Sequence, residues 1–208
     1  MSREVEATVH QGFPGVWQWQ IAFHVPDSYR WTLRTDEELH HYMFDGRTVR
    51  AFVGRTPVSV DPAPANGLRT HARWMAVVLL DVLRDGARTT CSALARERPP
   101  ATAVRGLRVR YVDDPAATYE LWFDARGQLI GADGPVVFSG FASGRLHATF
   151  TDFRAVGGYV FPFAGRYAFE GKPFFDERAI SLVPNDPALD AESFAAPPAD
   201  EPSWPSES

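Results

Sequence analysis

Residues 17–25, WQWQIAFHV, place Trp17, Trp19, Ile21, Phe23 and Val25 on one side of an extended chain and Gln18, Gln20, Ala22 and His24 on the other. Side chains of a strand alternate between its two faces, so this period of two predicts a half-buried strand rather than a helix. A preceding strand is expected over Glu4 to His10, with Gly12, Pro14 and Gly15 as turn formers between the two. Alternation resumes in Tyr29, Trp31, Leu33 and Thr35, and the runs LHHYMF and RTVRAFVG flank Asp45-Gly46. That dipeptide readily supplies the backbone angles of a two-residue hairpin turn.

The period then changes. Pro57 to Gly67 is rich in Pro, Ala and Asn and is expected to be a loop, whereas Thr70 to Arg84 repeats its apolar positions at three and four residues. A helix is predicted there, with Thr70 as N-cap and Asp85-Gly86 as its end. Trp74, Met75, Val77, Val78, Leu79, Leu80, Val82 and Leu83 exceed one stripe, so this helix should be buried on most sides. A plug seated in a concave sheet would meet that requirement, with Gly67 and Gly86 as hinges for guest entry. A second, weaker helix is expected over Thr90 to Arg96, before Pro99-Pro100.

Strand patterns return at Gly106–Val112, Thr118–Asp124, Gln128–Ala132, Arg145–Arg154, Tyr159–Pro162, Gly165–Glu170 and Phe174–Val183. Turns are expected at Asp124 to Gly127 and at Glu170-Gly171-Lys172. The whole reads as α+β, mainly antiparallel β: about ten strands forming a strongly curved, unclosed β-barrel whose concave face is covered by helices. Residues 1–197 form one domain, and 198–208, rich in Pro, Ala, Asp, Glu and Ser, form a disordered tail.

Composition narrows the function classes. The 208 residues are 45% hydrophobic and include 15 Phe, 6 Trp and 6 Tyr, ample material for a large apolar interior. A formal charge of −5 argues against nucleic acid as a partner. The single cysteine, Cys91, cannot close an internal disulfide and is read as a small buried hydrophobe. The amino terminus, MSREVEATVHQ, has neither the pattern of a signal peptide nor that of a membrane span. As written the sequence reads as cytoplasmic without stable membrane insertion, and as an envelope or periplasmic protein if its true start lies upstream.

Candidate chemistry is sparse. His40 and His41 are neighbours on a strand, point to opposite faces and cannot chelate one metal together. His24 and His147 fall on the polar side of their strands, and sequence spacing gives neither a titratable partner. Arg105, Arg108 and Arg110 form a basic stripe, read either as ion pairs to adjacent strands or as an anionic headgroup contact. Gly-x-Ser-x-Gly, a Gly-rich phosphate loop and Cys-x-x-Cys do not occur. No cofactor or metal is expected.

The carboxyl half carries a broader pattern. ATYELWFDARGQLIGAD is followed by HATFTDFRAVGGYVFPFAGRYAFEGK and then by ISLVPNDPALDAESFAAPP. In that order, from the Tyr119–Ile130 hairpin through Phe150, Asp152, Phe153 and Arg154 to the Gly158–Pro162 turn, it resembles the LolA/LolB-like lipoprotein carriers. The closing Asn185, Leu189, Asp190, Phe194 and Pro197 continue the likeness, and YRWTLRTDEELHHYMFDGRTVRAFVG fits the group's paired strands in the amino half. The resemblance implies an unclosed barrel, its mouth covered by helices, that holds acyl chains or another apolar guest.

Three functions remain open on this basis. The first is a carrier or sensor sheltering a lipid, an acyl chain or a lipoprotein anchor, lined by Trp17, Trp19, Phe23, Trp31, Trp74, Val78 and Phe150. The second is a small enzyme acting on a hydrophobic substrate in the same pocket, with His24 or His147 handling protons. The third is a self-filled domain that works through its outer surface.

Overall fold

The computed structural model describes residues 1–12, 14–24, 28–35, 38–59, 62–84, 86–94, 101–137 and 143–198. Val25 and the tail expected beyond residue 198 lie outside them.

Alternating apolar and polar residues form the first strands, β1 (Ser2–Val9), β2 (Gly15–His24) and β3 (Ser28–Arg34). In β2, Trp19, Ile21 and Phe23 are buried, as the period of two requires. The hairpin of β4 (Leu39–Asp45) and β5 (Val49–Val53) turns at Asp45-Gly46. Its connection is longer than two residues, because Asp45 Oδ1 accepts the N–H groups of Arg47 and Thr48 and Gly46 takes φ 90°. A short β6 (Thr56–Val58) completes this half.

Helix α1 runs over Pro62–Val78, eight residues earlier than the periodicity indicates. Pro62 and Pro64 occupy the first turn, where the missing N–H groups have no intrahelical acceptor anyway, so a Pro-rich stretch begins the helix instead of breaking it. Thr70 is therefore inside the helix and not its cap, and Gly67 is a buried helical residue and not a hinge at its end. The helix ends at Val78 because Leu80 adopts φ 60°, a left-handed termination that a leucine does not signal in sequence. A 3-10 turn follows at Asp81–Arg84.

The second half opens with β7 (Thr89–Ala93) where a weak helix is expected from sequence. Thr89 to Ala93 pair in register with Tyr111 to Leu107 of β8 (Arg105–Tyr111), so edge pairing overrides the local pattern. As an edge strand β7 exposes Cys91, contrary to the expectation of burial. The chain continues through β9 (Thr118–Phe123), β10 (Leu129–Val137), β11 (Ser143–Val156), β12 (Tyr159–Phe169) and β13 (Lys172–Val183). Both expected turns form: Gly127 takes φ 80°, and Glu170 and Gly171 take 49° and 76°.

The thirteen strands of the described residues join one antiparallel sheet ordered β6-β5-β4-β3-β2-β1-β13-β12-β11-β10-β9-β8-β7. Its middle is the seam between β1 and β13, the first and last strands. Its free edges, β6 and β7, are consecutive strands, and the connection between them contains α1. The helix packs on β10 and on β3 to β5, and so bridges the two halves across the concave side. Register shifts at Glu4/Val5, Leu129/Gly131 and Tyr167/Ala168 supply the irregularities by which a long sheet bends. A 3-10 turn at Glu192–Phe194 packs on β3 and β4.

Candidate functional site

Bending the sheet beneath α1 encloses a cavity of about 730 Å³, within the range of lipid and small-molecule sites. Its sheet wall comes from β1 to β4 and β10 to β13, and its other wall from α1. Trp17, Trp19, Trp31, Trp74, Val78 and Phe150 all line it, six of the seven residues expected from sequence to face a guest. Phe23 does not. It pairs with Tyr29 near the end of β2, beside the Met1 carbonyl that accepts its N–H, and is closed into the core at 1% exposure.

The aromatic side chains form a continuous belt across the concave wall. Tyr42 stacks on Trp31 at 5.5 Å, Trp31 meets Trp19 edge-on at 5.9 Å, and Trp19 meets Phe175 at 5.6 Å. Phe175 stacks on Tyr167 at 4.2 Å, and Tyr167 meets Phe150 at 6.2 Å. Such rings present broad apolar area with little rotamer entropy to lose on binding. Sequence alternation finds Trp19 and Trp31, but the contribution of Phe174, Phe175 and Tyr167 depends on the β1/β13 seam and carries no local signal.

Several polar groups share the wall. His71 of α1 lines the cavity, stacks on Tyr29 at 6.2 Å and bonds to the Gly67 carbonyl. Burial drives its pKa down to about 4, against the pull of that carbonyl, so it is a neutral imidazole. Arg3 and Glu177 form a buried ion pair on the sheet side. Burial alone would lower the guanidinium, but Glu177 and the Tyr167 oxygen hold it above its ordinary value. The Tyr29 phenol is raised first by burial and then by Glu177.

The histidines weighed as proton handlers lie elsewhere. His24 is exposed, its ring 6.2 Å from Phe194. His147 sits 3.7 Å from Asp133, which also binds Arg145, and both residues belong to the polar rows of β10 and β11. His41 is buried, on a strand against which Glu192–Phe194 packs, and its Nδ1 bonds to Thr32 at 3.0 Å. Arg108 of the basic stripe pairs with Glu120 at 2.9 Å, the interstrand option. Among the described residues no group of three His, Cys, Asp or Glu could hold a metal, and no helix is long and apolar enough to cross a membrane.

The fold has solved counterparts. A LolA superfamily protein from Nitrosomonas europaea matches with a TM-score of 0.59 over 93% of this chain and 87% of that one, at 12% identity. A domain provisionally described as an outer membrane lipoprotein-sorting protein from Vibrio parahaemolyticus matches at TM-score 0.54, 8% identity, and 93% and 88% coverage. A DUF1329 family protein from Desulfovibrio piger gives 0.55, 11%, and 93% and 88%. The curved, open half-barrel expected from sequence is thus a LolA-like fold. No family model matches the sequence, and no curated protein matches it.

Proposed function

We propose that the protein carries or senses a hydrophobic guest, an acyl chain, a lipid or a lipoprotein anchor, held between the curved sheet and α1. The observation that carries this reading is the cavity itself: about 730 Å³ lies between sheet and helix instead of being filled by side chains. A domain working only through its outside would close such space, because packed interiors leave few voids larger than a water molecule. Transfer of an acyl chain into it would gain about 0.8 kcal/mol per buried methylene. The lipoprotein-sorting description of the Vibrio neighbour supports a lipid-linked guest and a setting in the cell envelope.

The test is to extract the purified protein with organic solvent and analyse the extract by mass spectrometry. An acyl species near one per chain is expected. Lipid-free protein that also leaves the tryptophan emission unchanged on addition of lipid would sink the reading, because Trp19, Trp31 and Trp74 all line the cavity.

A further inference from the structure

A cavity for hydrocarbon alone needs no buried ion pair, yet this one has one in its wall. Arg3 Nη1 donates to Glu177 Oε1 across the β1/β13 seam at 2.9 Å, with the side chains only 10% and 5% exposed. The Tyr167 hydroxyl, from β12, donates to the same oxygen at 2.6 Å. The seam does not depend on them, since β1 and β13 are already paired from Ser2 to Val9. Well-packed apolar residues commonly replace such a pair without loss of stability, so stability alone does not account for it.

A second observation points the same way. Among the described residues Arg3 Nε and Trp19 Nε1 are enclosed donors without an acceptor. Both side chains line the cavity with Glu177 and Tyr167. They belong to one neighbourhood, because Arg3 pairs with Ile21 and Val5 with Trp19 along β1 and β2, and Phe175 stands between the Trp19 and Tyr167 rings.

We propose that Arg3 Nε and the indole N–H of Trp19 receive the polar end of the guest, with Glu177 and Tyr167 holding the Arg3 guanidinium in place, and that this end is an uncharged hydrogen-bond acceptor such as an ester or amide carbonyl. The inference rests on the cavity being a guest site. Charge decides the class of head group. Arg3 and Glu177 cancel, so a free carboxylate would set a second anion beside Glu177 at low dielectric, and an ammonium would meet Arg3. A plain hydrocarbon leaves the enclosed donors as they are. A carbonyl brings an acceptor and no net charge, and a site built to bond such a group discriminates against the analogue lacking it.

The test uses the full chain and a naphthylamine dye that brightens in apolar surroundings, displaced in turn by methyl laurate, laurate and the alkane of matching length. Methyl laurate is expected to displace the dye at about tenfold lower concentration than either competitor, the ratio supplied by one good hydrogen bond to a buried donor. Arg3→Met/Glu177→Met, which replaces the pair by apolar groups of similar volume and leaves only the Trp19 indole N–H as donor, should lower the ester-to-alkane ratio from about ten toward one. Arg3→Lys keeps the charge, loses Nε, and should leave a ratio of about three. Circular dichroism establishes that each variant is folded.

Equal potency of ester and alkane on the unsubstituted chain overturns the inference and leaves the cavity reading standing. An ester preference undiminished in both variants does the same. A chain that binds neither the dye nor any of the three compounds overturns both.

Discussion

His71 shows how a single residue can be invisible to pattern and still important. In sequence it lies inside a helix with nothing to distinguish it, and only the curvature of the sheet places it against Tyr29 in the cavity wall. Its pKa in the fold, about 4, lies below the ordinary 6.5, and burial lowers His41 to about 4 as well, with Arg30 and His40 adding to the shift. Because the folded form disfavours the proton, these groups contribute their stability fully above pH 6.5 and lose it as the pH falls from there toward 4. Each can contribute a slope of at most about 1.4 kcal/mol per pH unit in that window. Thermal melting of His71→Leu across this range should show a smaller acid loss than the unsubstituted chain. Identical pH profiles would mean that the imidazole is not buried in neutral form. Cys91 makes the converse point: a cysteine reads as buried by habit of its type, and edge-strand position exposes it.

At the scale of elements, the helix is held by more than its apolar face. The Thr70 hydroxyl donates to the Gly67 carbonyl at 2.9 Å and accepts the Val137 N–H at 3.1 Å, tying α1 to the end of β10. Thr70→Val keeps the shape and removes the acceptor, leaving the Val137 amide unpaired at about 1–3 kcal/mol. Denaturant unfolding should report that loss, and hydrogen exchange should show faster exchange at Val137. Unchanged exchange would show that the link does not hold the helix. Sequence identified this helix by its periodicity and missed its first turns, because proline is read as a breaker unless the chain around it shows that it begins the helix. In the same way Leu80 ends the helix in a conformation usually given to glycine, so no residue type marks the boundary.

For the molecule as a whole, the order of strands decides where the cavity lies. The first and last strands meet at the central seam, and the two free edges are joined by the segment containing α1. The cavity therefore lies between a rigid paired sheet and one helix. A ligand that binds only the folded protein stabilises it by mass action. Methyl laurate at about one hundred times its dissociation constant should raise stability by about 2.7 kcal/mol, with a melting temperature that depends on ligand concentration. A melting temperature indifferent to lipid at every concentration would identify the cavity as a feature of packing alone.

The sequence by itself determined what depends on neighbours along the chain: the period-two faces of β2 and β3, the turns at Gly127 and Gly171, and the apolar stretch around Trp74. With its resemblance to the lipoprotein carriers it also indicated a curved sheet with a helix on its concave side, and six of the residues that line the cavity. Only the tertiary structure decided that β1 pairs with β13, that Glu192–Phe194 packs on β3 and β4, and that Arg3, Glu177 and Tyr167 converge. Periodicity says which side of a strand is apolar, but not which distant strand lies beside it. Positions 3 and 177 become a pair only when the seam closes.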